Sequence, residues 1–148
     1  MATGTPANGY EAVVGKWFEA FGRCCAEEDY ESARSLVADD VRSFGTNAGI
    51  VSGLDRLQAD QWTTIWPSIE GFEFDLEETV ALGDGDRVSG AAVWRSTGFN
   101  EDGEPFYRPG HATVVLEQRD DAWLAVHTHF SLHPGTPQYT YGPDGRTE

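Results

Sequence analysis

The strongest constraint on the fold is a change of hydrophobic period near the middle of the chain. From Tyr10 to about Glu27, apolar residues recur every three or four positions, which predicts an amphipathic helix. From Phe72 onward apolar and acidic residues alternate, which predicts strands. Three turn sequences separate four long strands: GDGD (83–86), NEDGE (100–104) and RDDA (119–122). The second half is therefore expected to be an antiparallel meander.

The region between these halves adds shorter elements. Asp29 can cap a second helix over 30–38, and Gly53 precedes a third helix that Pro67 is expected to end. Short strands are expected at 41–46 and 50–51. We predict an α+β fold, with three N-terminal helices packed on a strongly curved antiparallel sheet that forms a cone with an internal pocket.

The chain length sets the domain organisation. With 148 residues, one domain with a single core is expected. We assign residues 1–8 to a disordered N-terminus, 9–132 to the domain and 133–148 to an irregular tail rich in Pro and Gly. The start lacks the pattern of a secretion signal, no apolar run is long enough for a membrane span, and Cys24 and Cys25 are adjacent. A cytoplasmic protein is expected.

Charge limits the partners. The sequence has 25 acidic against 10 basic residues, for a formal net charge of -15. A polyanion of this strength is repelled by phosphate backbones and anionic lipid, so nucleic acid and membrane partners are not expected. A small hydrophobic molecule is the expected ligand, since an anionic substrate would approach against the protein's own field.

Loop lengths predict which side chains share a face of the sheet. A loop of two or four residues at 119–122 pairs His127 with Val114 and His129 with Ala112. Closing the preceding hairpin between residues 99 and 105 places Trp94 beside Gly110. The pocket face then carries Trp94, His127, His129 and Ser131 among small residues. A three-residue loop or a β-bulge would reverse this assignment.

The opposite face of the same strands is too apolar to be wholly solvated. It is expected to carry Val93, Thr113, Val115, Val126, Thr128 and Phe130. An apolar face of this size is typical of an interface, and we expect a homodimer.

Three ionisable side chains are the candidate catalytic groups. His127 and His129 can act as an acid and base pair near neutral pH. The alternative is that they hydrogen-bond helix ends or strand edges. Glu78 would share the pocket face with the apolar residues of its strand, namely Phe72, Phe74, Leu76 and Leu82, where burial would raise the pKa of its carboxyl. A bulge at residues 77–78 would instead turn Glu78 into water.

Aromatic side chains are the candidate ligand contacts. Those expected at the pocket are Trp17, Phe21, Phe44, Trp62, Trp66 and Trp94. Together they suit a flat hydrophobic ligand. The histidine pair lacks a local third ligand, so no metal is expected.

The chain resembles a known family in two stretches. These are LVADDVRSFGT (36–46) and DDAWLAVHTHFSL (120–132), the second with the spacing W-x-x-x-H-x-H-x-S. They are similar to the SnoaL-like branch of the nuclear transport factor 2-like superfamily and to the association domain of calcium/calmodulin-dependent kinase. The resemblance implies a cone-shaped α+β fold, a homodimer, a deep apolar pocket and no cofactor. Its relatives include polyketide cyclases, ketosteroid isomerases, dehydratases and binding domains.

The functional residues of two relatives do not carry over. The tyrosine and the two aspartates of ketosteroid isomerases fall on Phe21, near Phe44-Gly45 and near Thr113-Val114, so steroid isomerisation is not expected. The pocket arginines of the kinase association domain fall on Trp94 and Val114, which disfavours anionic ligands held in that way.

The resemblance and the histidine pair together favour an enzyme. We expect a cofactor-independent polyketide cyclase, isomerase or lyase that transfers protons during cyclisation, isomerisation or dehydration of a small apolar carbonyl or polyketide-like compound. One alternative is a non-catalytic protein that binds a hydrophobic small molecule. The other is a scaffold whose cavity is filled by its own side chains.

Overall fold

A computed structural model describes residues 7–46 and 49–144. The predicted disordered segment 1–8 lies outside these residues except at Ala7 and Asn8, which already belong to the first helix. Within the described residues no helix is both long and apolar enough to cross a membrane.

The first two helices form where predicted, with different ends. Helix α1 spans Ala7–Glu27 and α2 spans Tyr30–Arg34. The Asp29 carboxylate accepts a hydrogen bond from the Ser32 amide at 3.1 Å, which confirms the cap. Helix α2 ends four residues earlier than predicted because the chain already enters the sheet at Val37.

The third helical region is continuous but changes its winding. Helix α3 (Leu54–Leu57) leads into a π-helical turn (Gln58–Trp62), helix α4 (Thr63–Ile65) and a 3-10 turn (Trp66–Ser68). Pro67 lies inside the last turn rather than ending the helix before it. Its fixed φ angle suits the first positions of a helical turn, so the chain closes one further turn.

Seven strands of the described residues form one sheet. The strands are β1 (Val37–Phe44), β2 (Ile50–Ser52), β3 (Glu70–Phe74), β4 (Val80–Asp84), β5 (Arg87–Phe99), β6 (Pro105–Arg119) and β7 (Ala122–Leu132). Their order is β2-β1-β7-β6-β5-β3, and β4 also pairs with β5. The sheet is mixed rather than purely antiparallel, because β1 and β7 run parallel. The curved sheet and the helices form the predicted α+β cone.

The first predicted strand of the meander is broken in two. Phe72 and Phe74 of β3 are buried as predicted. The chain then turns at residues 75–79, so Leu76 is 44% and Leu82 73% exposed. The predicted inward positions of Leu76, Leu82 and Glu78 are therefore wrong, because parity does not continue through a turn.

The register of β5 and β6 is as predicted. Phe99 pairs with Pro105, and Trp94 pairs with Gly110. Trp94 therefore points inward and is 1% exposed. A Cβ atom at position 110 would overlap the Trp94 indole, so glycine makes room for this large side chain.

The predicted register of β6 and β7 is correct up to a β-bulge in β7 and wrong beyond it. Arg119 pairs with Ala122 as predicted, but the pairing shifts by one residue at Val126. Beyond that point Val115 pairs with His127 and Thr113 with His129. An extra residue in one strand reverses the face of every later side chain. His127, His129 and Ser131 therefore lie on the outer face, while Thr128 and Phe130 point inward.

The described part of the tail, residues 133–144, is irregular but packed. The Thr140 hydroxyl accepts a hydrogen bond from the Phe99 amide at 2.9 Å and donates to the Ser68 carbonyl at 2.7 Å. The Tyr141 amide donates to the Phe99 carbonyl at 2.8 Å. The tail thus joins the end of β5 to the last helical turn.

Candidate functional site

A small cavity lies where α1, the helical region 54–68 and the inner face of the sheet meet. Its volume is about 50 Å³, which is room for roughly three to five water molecules at about 10–15 Å³ each. It is lined by Phe21, Cys25, Gly45, Thr46, Gln61, Trp62, Ile65, Trp66, Ile69, Phe72, Trp94, Arg108, Thr128 and Phe130.

The helical wall of the cavity is a cluster of rings. Trp62 and Trp66 stack with centroids 5.0 Å apart. Phe21 meets both edge-on, at 5.6 and 5.7 Å. Tyr30 stacks on Trp66 at 5.2 Å. Such ring pairs add about 0.5–1.5 kcal/mol each beyond burial, so this wall is firmly packed.

Four of the six predicted pocket aromatics line the cavity: Phe21, Trp62, Trp66 and Trp94. Trp17 does not, because it stacks on Phe21 at 4.7 Å and its indole N–H donates to the Leu36 carbonyl at 2.8 Å. Phe44 is also outside the cavity. It is 37% exposed and its ring lies 5.1 Å from that of His129 on the outer face.

The predicted polar site residues are not at the cavity. The imidazoles of His127 and His129 lie 6.5 Å apart, and His127 Nδ1 is 2.8 Å from the Arg42 carbonyl oxygen. Ser131 pairs with His111 on the outer face. Arg42 lies on β1, which is paired with β2 and β7, so His127 contacts a strand inside the sheet and not a strand edge or a helix end. A catalytic role for His127 and His129 stays a prediction. It was based on both side chains facing the pocket, and neither lines the cavity.

Glu78 is likewise remote from the cavity. Its side chain is exposed, and its amide donates to the Asp75 carbonyl at 3.3 Å within the turn after β3. Among the described lining residues there is no carboxylate or imidazole. Burial raises the pKa of the Cys25 thiol well above its ordinary value, so this thiol is uncharged at neutral pH.

The cavity does contain a buried cation, Arg108, which the sequence analysis missed. It lies on β6 opposite Ser96 and is 1% exposed. Its Nη2 donates to the Thr46 hydroxyl at 3.3 Å, and its guanidinium carbon lies 5.5 Å from the centroid of the Trp94 ring. Burial lowers the pKa of Arg108 to about 10. Arg108 is therefore still charged at neutral pH.

Three buried donor groups around the cavity lack a hydrogen-bond partner among the described residues. They are the Nε of Arg108, the Nε1 of Trp94 and the Nε2 of Gln61. Leaving a buried donor unsatisfied costs about 1–3 kcal/mol, so such groups are rare and often mark functional sites. All three residues that carry these donors line the cavity.

Sequence signals for two of these donors were present. The predicted pairing of Phe99 with Pro105 also pairs Ser96 with Arg108, on the face that carries Trp94. Gln61 lies on the inner stripe of the helical region, and a Cβ at position 45 would overlap its amide. Gly45 therefore allows Gln61 to reach the cavity. Thr128 and Phe130 were missed because the bulge at Val126 was not visible in the sequence.

Helices packed on a curved sheet around an internal cavity define a protein of the nuclear transport factor 2-like type. The model of the SnoaL-like domain family matches residues 11–134. The chain therefore belongs to the SnoaL-like family. Comparison with curated proteins finds no match.

Solved structures share the fold at low sequence identity. A candidate dehydratase of the nuclear transport factor 2-like family from Streptomyces avermitilis has a TM-score of 0.72 at 18% identity, over 88% of this chain and 100% of that one. A nuclear transport factor 2-like protein from Salmonella enterica has a TM-score of 0.74 at 14% identity, over 89% of this chain and 96% of that one. A ketosteroid isomerase-like protein from Erwinia carotovora has a TM-score of 0.71 at 17% identity, over 88% of this chain and 99% of that one.

Proposed function

We propose that this SnoaL-like protein binds a small molecule that has an apolar body and a hydrogen-bond acceptor. The observation that carries the proposal is the set of unpaired donors on Arg108, Trp94 and Gln61 around one aromatic cavity. The lining supports binding more directly than acid–base catalysis, because its described residues include no carboxylate or imidazole.

The size of the cavity restricts the ligand. A volume of about 50 Å³ is about a third of the roughly 150 Å³ of a cavity that binds benzene. A single ring therefore enters only if the surrounding side chains move, and a polyketide of several rings is excluded. The stacked Trp62 and Trp66 offer flat surfaces to such a ring. Cavities of this kind fix the orientation of a ligand through few polar groups, as the three donors would.

Binding is tested by nuclear magnetic resonance of the five indole N–H groups of the protein. Three one-ring compounds are titrated separately: acetophenone, phenol and benzoate. We expect saturable shifts at Trp94, Trp62 and Trp66, with little change at Trp123, which lies outside the cavity lining. The proposal fails if none of the three compounds shifts the cavity indoles.

Two variants identify the contact. Trp94→Phe keeps a ring but removes the unpaired indole N–H, so we expect weaker binding of all three compounds. Trp123→Phe makes the same change near the start of β7, outside the cavity lining, and is expected to bind as the wild type does. Equal loss in both variants would indicate a general effect on the fold.

A proton-transfer enzyme is the second candidate function. Donors aimed at a carbonyl oxygen can stabilise the negative charge of an enolate, and two solved relatives carry the names dehydratase and ketosteroid isomerase-like. The candidate acids and bases are His127, His129 and Glu78, none of which lines the cavity.

Exchange of the methyl protons of acetophenone in D₂O tests this candidate. Catalysis predicts exchange above the buffer rate, and loss of that exchange in His127→Gln, His129→Gln or Glu78→Gln. Exchange at the buffer rate while acetophenone is bound would leave the protein a binding protein. Catalysed exchange that survives all three substitutions would refute these residue assignments.

A further inference from the structure

We infer that the cavity is an anion site that takes a small aromatic monocarboxylate, with Arg108 as its counter-charge. The inference rests on the proposed function and names the class of ligand. It departs from the neutral ligand expected from net charge, because the relevant charge is inside the cavity.

The first support is the lack of a counter-ion at Arg108. Five other arginines form ion pairs with carboxylates at the surface: Arg34, Arg56, Arg87, Arg95 and Arg119. Arg108 is the most deeply buried of the six and forms no ion pair within the described residues. Buried charges are normally paired, and this chain has 25 acidic residues that could have supplied a partner. A ligand carboxylate would supply the missing charge.

The second support is the number of unpaired donors. The carbonyl oxygen of a neutral ligand has two lone pairs, whereas a carboxylate offers about four acceptor positions on two oxygens. The three donors on Arg108, Trp94 and Gln61 exceed what one carbonyl oxygen accepts. Thr46 holds one end of the guanidinium through Nη2 and leaves Nε unpaired. Charge-assisted hydrogen bonds from a guanidinium are also about twice as strong as neutral ones.

The third support is the apolar remainder of the lining. Phe72 lies 5.3 Å from Trp94, and Phe130 lies 6.3 Å from it. The stacked Trp62 and Trp66 line the same cavity. A lining that combines the three donors with aromatic rings matches a ligand with one carboxylate on one ring, and the cavity volume leaves no room for a second ring.

The negative surface does not oppose the bound state. At physiological salt the screening length is about 8 Å, so distant surface carboxylates act mainly on the rate of approach. A buried cation such as Arg108, which is 1% exposed, is screened far less. Added salt should therefore not reduce the affinity, in contrast to binding at an exposed arginine.

Isothermal titration calorimetry with benzoate and acetophenone tests the inference, since the two have nearly the same shape and differ in charge. We expect the wild type to bind benzoate at least about tenfold more tightly than acetophenone. Arg108→Met should abolish this preference. Arg95→Met removes an exposed arginine of the neighbouring strand and should keep it. Raising KCl from about 0.05 to 0.5 M should not weaken benzoate binding.

A second variant guards against loss of folding in Arg108→Met. Gln61→Glu is nearly isosteric and adds a carboxylate to the cavity lining, so it should weaken benzoate binding more than acetophenone binding. Equal affinity of the wild type for both compounds would overturn the anion site while leaving the proposed function standing. Binding of neither compound, with no indole shifts, would overturn both. Unchanged benzoate preference in Arg108→Met would also refute the inference.

Discussion

Replacing Arg108 by methionine should make the unliganded protein more stable. Burial lowers the pKa of Arg108 to about 10. The fall exceeds two pKa units, and at about 1.4 kcal/mol for each unit it corresponds to a cost of about 3 kcal/mol for holding the charge in the cavity. The hydrogen bond to Thr46 and the contact with Trp94 return part of that cost. We therefore expect Arg108→Met to raise the free energy of unfolding by about 1–3 kcal/mol.

Urea unfolding at pH 7 measures this change, provided that the slope against urea is the same in both proteins. Arg95→Met is the matched control at an exposed site and should lie within about 0.5 kcal/mol of the wild type. A loss of 1 kcal/mol or more in Arg108→Met would refute the reasoning. It would mean that Arg108 stabilises the fold through its contacts and that its burial needs no ligand.

The pH dependence of the free energy of unfolding tests independently whether the buried charge of Arg108 destabilises the fold. The folded pKa of Arg108 lies below its unfolded value. Above about pH 10 the folded protein therefore loses this proton while the unfolded chain keeps it, so stability rises with pH. The advantage of Arg108→Met over the wild type should narrow above that pH. An advantage that stays constant up to the alkaline limit of folding would contradict the assigned cause.

Three further predictions concern the rest of the molecule. Gly110→Ala should lower the free energy of unfolding by about 1–3 kcal/mol in urea, since the added Cβ overlaps Trp94. Hydrogen bonds from Arg119 lower the pKa values of Asp40 and Glu117. The stability that these carboxylates contribute above about pH 4 should be lost on further acidification, and Arg119→Gln should flatten this dependence in thermal melts. Native mass spectrometry should detect the predicted homodimer, although Thr128 and Phe130 of the face expected to form its interface point inward. A monomer at micromolar concentration would refute it.

The course of the chain was predictable where local signals decide it. The turns at 83–86, 100–104 and 119–122 and the register of β5 on β6 follow from loop length and alternation. The bulge at Val126 has no signal in the sequence. Because of it, His127 and His129 lie on the outer face of the sheet and not on the predicted inner face. The turn after Phe74 likewise leaves Glu78 exposed, although alternation along the strand predicted an inward position. Errors of this kind arise because one extra residue in a strand turns every later side chain to the opposite face of the sheet.

The candidate site was predictable in part. The inward positions of Trp94, Phe21, Trp62 and Trp66 follow from periodicity. The predicted register of β5 on β6 also implies that Arg108 pairs with Ser96 on the face that carries Trp94. What the sequence could not give is the absence of a carboxylate near its guanidinium within the described residues, because this depends on the positions of side chains from several elements.

The central claim is that the unpaired donors of the cavity bind a ligand carboxylate. A crystal structure of the protein with benzoate tests it most directly. The account predicts the benzoate ring among the aromatic side chains, with a carboxylate oxygen about 3 Å from Arg108 Nε and another acceptor contact to Trp94 Nε1. Benzoate bound only at the surface, or a ring seated with its carboxylate away from Arg108, would contradict it.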